Sequence, residues 1–102
     1  MKKKANFKTL TKDKLTLQLF VSGMSPKSME AIENLKRFCD KHLRDAFLLH
    51  IIDIYKHPDE AAKHHIIFSP SLIKQKPLPR RTLIGTLEDS EKVIKALGIT
   101  VN

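Results

Sequence analysis

The stretch KLTLQLFV, residues 14–21, decides the fold class of this 102-residue chain. Every second side chain in it is aliphatic, namely Leu15, Leu17, Leu19 and Val21. A period of two is typical of a β-strand, so the stretch predicts a strand over Lys14–Val21. Because Phe20 makes the intervening side partly apolar, we expect cover on both faces of this strand.

The segment after this strand predicts a helix over Pro26–Leu43. Ser25 is suited to cap it, and Pro26 suits the first helical position because its missing N–H would be unpaired there. Apolar side chains then recur at steps of three and four residues, at Ile32, Leu35, Phe38, Cys39 and Leu43. This spacing is typical of an amphipathic helix.

A second apolar segment, FLLHIIDI at Phe47–Ile54, is nearly continuous and predicts a buried strand. A helix crosses over between the two strands, so we expect them to be parallel. His50 is expected to pack within this strand and to be hydrogen-bonded. A shorter helix with acidic residues in its first turn follows from His57 to about His65.

The last third of the chain predicts a hairpin and a helix. The strand, the turn and the returning antiparallel strand are expected at Ser71–Lys76, Lys76–Pro79 and Arg80–Gly85. Asp89 or Ser90 caps a last helix through Leu97, which Gly98 ends. The order β-α-β-α-β-β-α predicts a thioredoxin-like α/β fold, a mixed sheet with helices on both faces. A proline that is commonly cis begins the third strand of that fold, so we predict a cis Ser69–Pro70 peptide bond.

The positive charge is concentrated at the start of the chain. The formal net charge is +8, and residues 1–14 hold six lysines against one aspartate. Like-charge blocks are usually solvated, so we expect a flexible basic arm over residues 1–13 and one domain over residues 14–102. The apolar runs are too short to span a bilayer, and no apolar segment follows Met1–Lys4 as in a secretory signal. We therefore expect a cytoplasmic protein.

The sequence shows none of the common residue patterns of catalytic sites. The single cysteine, Cys39, excludes a disulfide within the chain and a CxxC pair, and we expect it to be a buried packing thiol. A thioredoxin-type enzyme would place a cysteine pair within Ser22–Ser28, which holds none. His57 and His64 could share a helix face, but no further ligands converge with them, so we expect no metal and no cofactor. These features favour a protein that is not an enzyme.

The segment KQKPLPRR, residues 74–81, is the strongest candidate for a binding site. Lys74, Lys76, Arg80 and Arg81 surround two prolines at the predicted hairpin tip. Prolines lower the entropy cost of presenting these charges. A docking patch for an acidic protein surface or for phosphates and an ordinary solvated turn both remain open. With one tyrosine and no RNA-binding signature, the chain is not expected to bind a specific nucleic acid.

Motifs spread over about Lys14–Leu97 together resemble the KaiB family, which comprises the circadian clock protein KaiB and KaiB-like proteins outside the clock. They comprise Gly23, Pro26 and Ser28; Asp53, Lys56 and Pro58; Pro70 and Leu72; and Pro77, Pro79, Arg81, Gly85, Glu91 and Lys92. The resemblance implies a non-enzymatic regulator that binds a KaiC-type ATPase or a related signalling partner, in circadian-type timing or stress response. The positions with an implied structural role are Gly23, Pro26, Asp53, Pro58, Pro70 and Gly85. Lys74 and Arg81 match basic residues with which the family engages partners, and we group Lys76 and Arg80 with them.

The resemblance also implies a choice between two folds. One is a tetramer with an altered C-terminal half, and the other is a thioredoxin-like state that binds the ATPase. Ala96 stands where the clock proteins have glycine, and alanine is favoured over glycine inside a helix by about 1 kcal/mol. We therefore predict the thioredoxin-like state, with residues 89–97 helical rather than extended.

Several alternatives stay open from the sequence. The tetrameric KaiB fold and a homo-oligomer, either dimer or tetramer, are the structural ones. Glu30, where the clock proteins usually have arginine, and Thr82, in place of the second arginine of a pair, weaken the case that partner binding is preserved. The functional alternative is a thioredoxin-fold oxidoreductase-like protein without a CxxC pair, acting in oxidative-stress resistance.

Overall fold

The computed structural model describes residues 15–44 and 46–99. The predicted arm over residues 1–13 lies outside these described residues, as do both ends of the predicted 14–102 domain. The strands are β1 at Leu15–Val21, β2 at Phe47–Asp53, β3 at Ser71–Lys76 and β4 at Arg81–Ile84. The helices are α1 at Pro26–Phe38, α2 at Pro58–Lys63 and α3 at Ser90–Leu97, and a π-helical turn at Cys39–Leu43 follows α1.

The four strands form one mixed sheet in the order β2-β1-β3-β4. β1 and β2 are parallel, with Leu15 opposite Phe47, as expected for strands joined by a crossover helix. β3 runs antiparallel to β1, and β4 runs antiparallel to β3. The element order and the mixed sheet confirm the predicted α/β architecture.

The helix ends follow from local sequence signals. Ser25 caps α1 by accepting a hydrogen bond from the backbone N–H of Ser28, with Pro26 in the first turn. Asp89 caps α3 by accepting from the N–H groups of Glu91 and Lys92, and Gly98 ends that helix in the left-handed conformation at φ 66°. The prediction that residues 89–97 are not a strand is therefore confirmed, with α3 over Ser90–Leu97.

The helix predicted to continue to Leu43 changes its hydrogen bonding after Phe38. In the π-helical turn the N–H of Arg44 donates to the carbonyl oxygen of Cys39 at 2.8 Å. Cys39 and Leu43 are both buried, so the apolar spacing is equally satisfied by the wider turn. The spacing of apolar residues alone does not distinguish α-helical from π-helical hydrogen bonding. The sequence therefore predicted one continuous helix.

The main core lies between the sheet and the pair α1 and α3, on what we call the helical face. Its buried side chains are Leu15, Leu17, Leu19, Val21, Ala31, Leu35, Phe38, Cys39, Leu43, Leu72, Leu87, Val93 and Leu97. The opposite side of the sheet, which we call the open face, carries Phe20 and Ile73, both fully buried. His64, which directly follows α2, contacts the Phe20 ring with 5.6 Å between ring centroids. Both faces of β1 are therefore covered, as expected.

The prediction that the second strand is buried is wrong for much of β2. β2 lies at an edge of the sheet, where Leu48 is 49% and Ile51 41% exposed. His50 is also exposed, contrary to the expectation that it packs. An edge strand has one strand neighbour instead of two, which leaves Ile51 partly exposed on the helical face. On the open face, which carries Leu48 and His50, α2 has six residues for cover. The apolar run was therefore a correct signal for a strand but not for its position in the sheet.

Candidate functional site

The basic hairpin does not form the single patch that the sequence suggested. Lys74 lies on the helical face and is 4% exposed, so the prediction that it belongs to an exposed docking patch is wrong for this fold. Its Nζ donates a hydrogen bond to the carbonyl oxygen of Leu97 at 3.3 Å. This carbonyl is at the C-terminus of α3, where the helix dipole favours a cation. The methylene groups of Lys74 thus lie in the core while its ammonium group caps a helix.

The electrostatics of Lys74 fit this structural position. Burial lowers the pKa of Lys74, and the charge of Arg81, its partner across the β3–β4 ladder, lowers the pKa further. Both effects act because the charged form loses hydration and faces a like charge. Lys74 therefore links the hairpin to α3 in this structure.

The other three cations remain at the surface. Lys76, Arg80 and Arg81 are exposed, together with Leu78, which is 79% exposed. These four residues are named the hairpin tip below. Neighbouring residues of an extended strand point to opposite faces. Accordingly, Arg81 lies beside Lys74 on the helical face, whereas the Arg80 Nη2 atom is 3.4 Å from His64 Nδ1 on the open face.

His64 is the centre of a polar cluster that the sequence analysis did not foresee. The Gln75 Nε2 atom is 3.4 Å from His64 Nδ1 and donates to Gln18 Oε1 at 2.6 Å. On the other side of the ring, His64 Nε2 is 3.7 Å from Glu60 Oε1. Two donors, from Gln75 and Arg80, face Nδ1, so the neutral ring fits best with Nδ1 as an acceptor.

Protonation of His64 is disfavoured by the same surroundings. Burial lowers the pKa of His64, and the positive charge of Arg80 lowers the pKa further, while Glu60 partly opposes them. The sequence spacing places His57 and His64 where the two side chains could share a helix face. It gave no signal that His64 would meet Gln75, which in turn bonds to Gln18 far away along the chain.

The loop between β1 and α1 is held by three serines. The Ser22 N–H donates to Ser28 Oγ at 2.9 Å, and the Ser25 hydroxyl donates to the same oxygen at 2.8 Å. This is the segment in which a thioredoxin-type enzyme would carry its cysteine pair. The hydroxyl groups bond to one another and to the backbone, so this network caps α1.

Asp53 joins this loop to the loop after β2. Its Oδ1 atom accepts from the Gly23 N–H at 3.2 Å and from the Tyr55 N–H at 2.9 Å. Gly23 has φ 59°, a left-handed conformation that glycine adopts without the steric cost of a Cβ atom. Asp53 and Gly23, for which the resemblance implies structural roles, are therefore joined by a hydrogen bond between the two loops.

The prolines and Gly85 occupy defined backbone positions. Pro26 and Pro58 stand in the first turns of α1 and α2. The Ser69–Pro70 peptide bond is cis, as are Lys76–Pro77 and Leu78–Pro79. The Gly85 N–H donates to the Pro70 carbonyl oxygen at 3.0 Å, so Gly85 pairs with Pro70 just beyond β4.

The chemistry of Cys39 is that of a packing thiol. Its side chain is 1% exposed, and burial raises its pKa to about 11, with a smaller contribution from the charge of Asp40. A reactive cysteine needs an accessible thiolate in an electropositive environment. Cys39 has neither property, which confirms its predicted burial.

The described residues hold neither a cluster of metal ligands nor a membrane-spanning helix. Among residues 15–44 and 46–99, no group of three or more His, Cys, Asp and Glu side chains is arranged to hold a metal ion. None of the helices in this same part of the chain has the length and apolar character needed to cross a membrane.

Comparisons with known families and sequences agree on one family. A family model described as the KaiB domain matches residues 18–99. The circadian clock protein KaiB3 of Synechocystis sp. is 37% identical to this chain, and the alignment covers 85% of each protein. The circadian clock oscillator protein KaiB of Synechococcus elongatus is also 37% identical, with 81% of each protein covered.

Solved structures agree on the fold. The N-terminal domain of Synechococcus elongatus SasA is 25% identical and superimposes with a TM-score of 0.69, covering 83% of this chain and 84% of that one. Chloroplastic thioredoxin z superimposes with a TM-score of 0.69 at 15% identity, covering 87% of this chain and 80% of that one. At this identity the thioredoxin likeness concerns the fold alone, and it confirms the predicted thioredoxin-like arrangement.

Proposed function

This chain belongs to the KaiB family, and we propose that it is a non-enzymatic regulator of the circadian-clock type that binds a KaiC-type ATPase through its hairpin tip. The proposal places the chain in timing or in a related stress response. In this proposal Lys76, Arg80 and Arg81 contact the partner. Lys74 supports the hairpin by its hydrogen bond to the end of α3.

The observation that carries this proposal is the extent of the likeness to clock proteins. The 37% identity to KaiB3 spans 85% of both chains, so the two proteins correspond along almost the whole domain. A fold alone does not imply a function, because functions belong to sites on folds. The proposal therefore needs a surface that can bind a partner, and the hairpin tip supplies a candidate.

The hairpin tip has the chemistry to bind an acidic protein surface. Lys76, Arg80 and Arg81 are exposed cations, and Leu78 adds an exposed apolar side chain between them. Arginine pairs with carboxylates in a planar, two-bond geometry that lysine does not reproduce. Complementary charge of this kind mainly sets association rate and specificity, and a central apolar contact adds affinity.

The thiol-based alternative has less support. Cys39 is buried in the π-helical turn with a raised pKa, and the loop at Ser22–Ser25 holds serines that bond to one another. The similar thioredoxin structures are 15–17% identical and are similar in fold alone. We therefore give the regulatory role precedence over an oxidoreductase-like one.

The test is size-exclusion chromatography of this protein mixed with the KaiC-type ATPase from its own genome, in the presence of ATP. At 11.7 kDa the chain elutes far from an ATPase ring, so co-elution is easy to detect. Arg81→Glu is expected to abolish co-elution, and its new carboxylate faces the Lys74 ammonium group, which protects the fold. Lys36→Glu, an exposed position on α1, makes the same charge change and is the matched control.

Two outcomes would contradict the proposal. Separate elution of the unmodified protein after prolonged incubation would mean that the family fold serves another partner. Equal loss of co-elution in Arg81→Glu and Lys36→Glu would mean that net charge, and not the hairpin tip, determines binding.

A further inference from the structure

A cleft of about 200 Å³ lies between the end of α1 and the loop that joins β4 to α3. Its buried lining residues, Phe38 and Leu87, are apolar and are 6% and 9% exposed. Its two walls carry polar and charged side chains instead. The hairpin tip precedes β4 and this loop follows it, so the cleft lies at the opposite end of that strand. It is therefore separate from the surface proposed to bind the ATPase.

The wall formed by α1 and the π-helical turn carries three side chains with nitrogen donors. Arg37 and Lys41 are exposed and stand four residues apart, and His42 follows directly and is half-buried. Side chains four residues apart are neighbours on a helix surface, so the two positive charges lie close together. A cleft with a wall of one sign of charge attracts ligands of the opposite sign. This wall therefore favours an anion.

Two of the three donors are held in place by neighbouring side chains. The Arg37 Nη2 atom donates to Asn34 Oδ1 at 2.8 Å, and Asn34 Nδ2 donates to the Thr86 carbonyl oxygen at 2.8 Å. The His42 ring packs against Phe38, with 4.7 Å between the ring centroids. The guanidinium group has five N–H donors, so Arg37 keeps several of them for a ligand. Because the side chains are already ordered, less conformational entropy is lost on binding.

The cations of this wall have no carboxylate partner within residues 15–44 and 46–99. The ion pair found in this part of the chain joins His64 to Glu60, and it lies on the open face. Arg37 bonds to a neutral amide oxygen instead. An incoming anion therefore gains charge-assisted hydrogen bonds without displacing an existing ion pair.

The opposite wall determines what else the ligand carries. Glu88 and Ser90 are exposed there, and Ser90 is the first residue of α3. Asp89 already accepts from the N–H groups of Glu91 and Lys92, so the end of this helix offers few free donors to an anion. The Glu88 carboxylate repels an anion and accepts hydrogen bonds. A ligand that fits both walls turns its anionic group toward Arg37 and hydroxyl groups toward Glu88.

We propose that this cleft binds a small phosphate monoester that also carries hydroxyl groups. Its phosphate contacts Arg37, Lys41 and His42. One of its hydroxyl groups donates to Glu88. A phosphate has three strong acceptor oxygens, which match three donors better than the two oxygens of a carboxylate do. Pockets for drug-sized ligands measure about 300–1,000 Å³. This cleft is smaller than that range, so it suits a ligand of the size of glycerol 3-phosphate.

The test titrates glycerol 3-phosphate into the full, isotope-labelled chain and follows the backbone amide signals by two-dimensional NMR. Saturable shifts are expected at residues 37–42 and 86–90, which form the two walls. Inorganic phosphate lacks the hydroxyl groups, so it is expected to shift the same signals with a higher Kd. Glycerol lacks the phosphate and is expected to leave them unchanged.

Arg37→Gln tests the phosphate contact, and Lys36→Gln is its matched control. Both variants remove one positive charge from an exposed position on α1, but Lys36 does not line the cleft. The Kd for glycerol 3-phosphate is expected to rise at least about tenfold in Arg37→Gln, because charge-assisted hydrogen bonds are lost. It is expected to change less than about twofold in Lys36→Gln, because solvent and salt screen that charge. Lys41→Gln leaves the contact between Arg37 and Asn34 intact and is also expected to raise the Kd.

Glu88→Ala tests the hydroxyl contact. The variant loses both the repulsion of a phosphate and the acceptor for a hydroxyl group. Inorganic phosphate is therefore expected to bind more tightly than to the unmodified protein. Glycerol 3-phosphate is expected to lose its advantage, so the ratio of the two Kd values falls toward one.

Several results would overturn the proposal. One is the absence of saturable shifts in the unmodified protein. Another is an equal loss of affinity in Arg37→Gln and Lys36→Gln, which would mean that net charge alone attracts the ligand. Shifts concentrated at Lys76, Arg80 and Arg81 would place the phosphate on the hairpin tip instead. Equal Kd values for glycerol 3-phosphate and inorganic phosphate would contradict the hydroxyl contact and hence the proposed class of ligand.

Discussion

The two faces of the sheet are covered to different extents, and this difference separates the residues that stabilise the protein from those that can meet a partner. On the helical face, α1, the π-helical turn and α3 leave Leu17 and Leu19 without exposed surface. On the open face, the short helix α2 protects Phe20 and Ile73, while Leu48 and Ile84 stay about half exposed. Stability is therefore concentrated on one face, and exposed apolar and polar groups on the other.

The same difference between the two faces determines the roles of two cations in the hairpin. Lys74 points into the helical face and becomes a helix cap, whereas Arg80 points to the open face and stays in solvent beside His64. Equal charge and close spacing in sequence thus lead to opposite roles. The cause is that the helical face offers a carbonyl acceptor at the end of α3.

The largest expected effect is a contrast between apolar side chains on the two faces. Leu17→Ala removes a fully buried side chain and is expected to lower the free energy of unfolding by about 3 kcal/mol. Leu48→Ala removes a half-exposed side chain on the open face, and the expected loss is below about 1 kcal/mol. Urea unfolding of the two variants measures both values. Equal losses would mean that the open face is covered more fully than the structure shows.

An intermediate effect is expected from the cations of the hairpin. Lys74→Ala removes buried methylene groups and the hydrogen bond to Leu97, so we expect a loss of about 2 kcal/mol in the free energy of unfolding. Arg80→Ala is expected to change stability by less than about 0.5 kcal/mol, because the side chain is exposed.

Lys74→Met separates packing from charge in this comparison. It keeps an unbranched apolar chain and removes a buried ammonium group, so stability is expected within about 1 kcal/mol of the unmodified protein. A loss in Lys74→Met as large as in Lys74→Ala would show that the ammonium–carbonyl contact, and not the packing, is what Lys74 contributes.

The smallest expected effect is a pH dependence from His64. Its pKa is lowered in the folded protein by burial and by Arg80, so between that lowered value and about 6.5 the unfolded chain binds more protons than the folded one. The contribution of His64 to stability is therefore present above about pH 6.5 and is lost as the pH falls. Thermal unfolding of the unmodified protein and of His64→Gln across this range is expected to show a smaller decrease in the variant.

His57→Gln serves as the control for this titration, because His57 is exposed. Its pH dependence is expected to match that of the unmodified protein. If His57→Gln flattened the curve and His64→Gln did not, the polar cluster on the open face would not be the cause of the pH dependence.

The structure confirms those predictions that depend on local signals. Ser25 with Pro26 marks the start of α1, and Asp89 with Gly98 brackets α3, because capping depends on residues within one helical turn. The period of two in β1 and the apolar positions of α1 likewise act over a few residues. Burial of Cys39 followed from its place on the apolar side of that helix.

Predictions from local signals were wrong or incomplete where burial and side-chain contacts depend on elements far away in the sequence. The aliphatic run of β2 predicts a strand, but its exposure at the sheet edge follows from which strands pair with β1. The cluster around His64 needs Gln75 to meet Gln18, 57 residues away along the chain. No motif in the sequence marks such a pair, because neither glutamine has a pattern that specifies its partner.

The sequence by itself determined the order of strands and helices, their caps and the absence of a cysteine pair, and its motifs identified the family. The tertiary structure decided that β2 and β4 are edges, that Lys74 is buried, and that Arg80 and Arg81 lie on different faces. The physical reason is the distance along the sequence over which each effect acts. Propensity and periodicity act between residues close in sequence, whereas the burial of Lys74 and its hydrogen bond depend on the end of α3, whose Leu97 carbonyl group is 23 residues away and is brought near only in the folded chain.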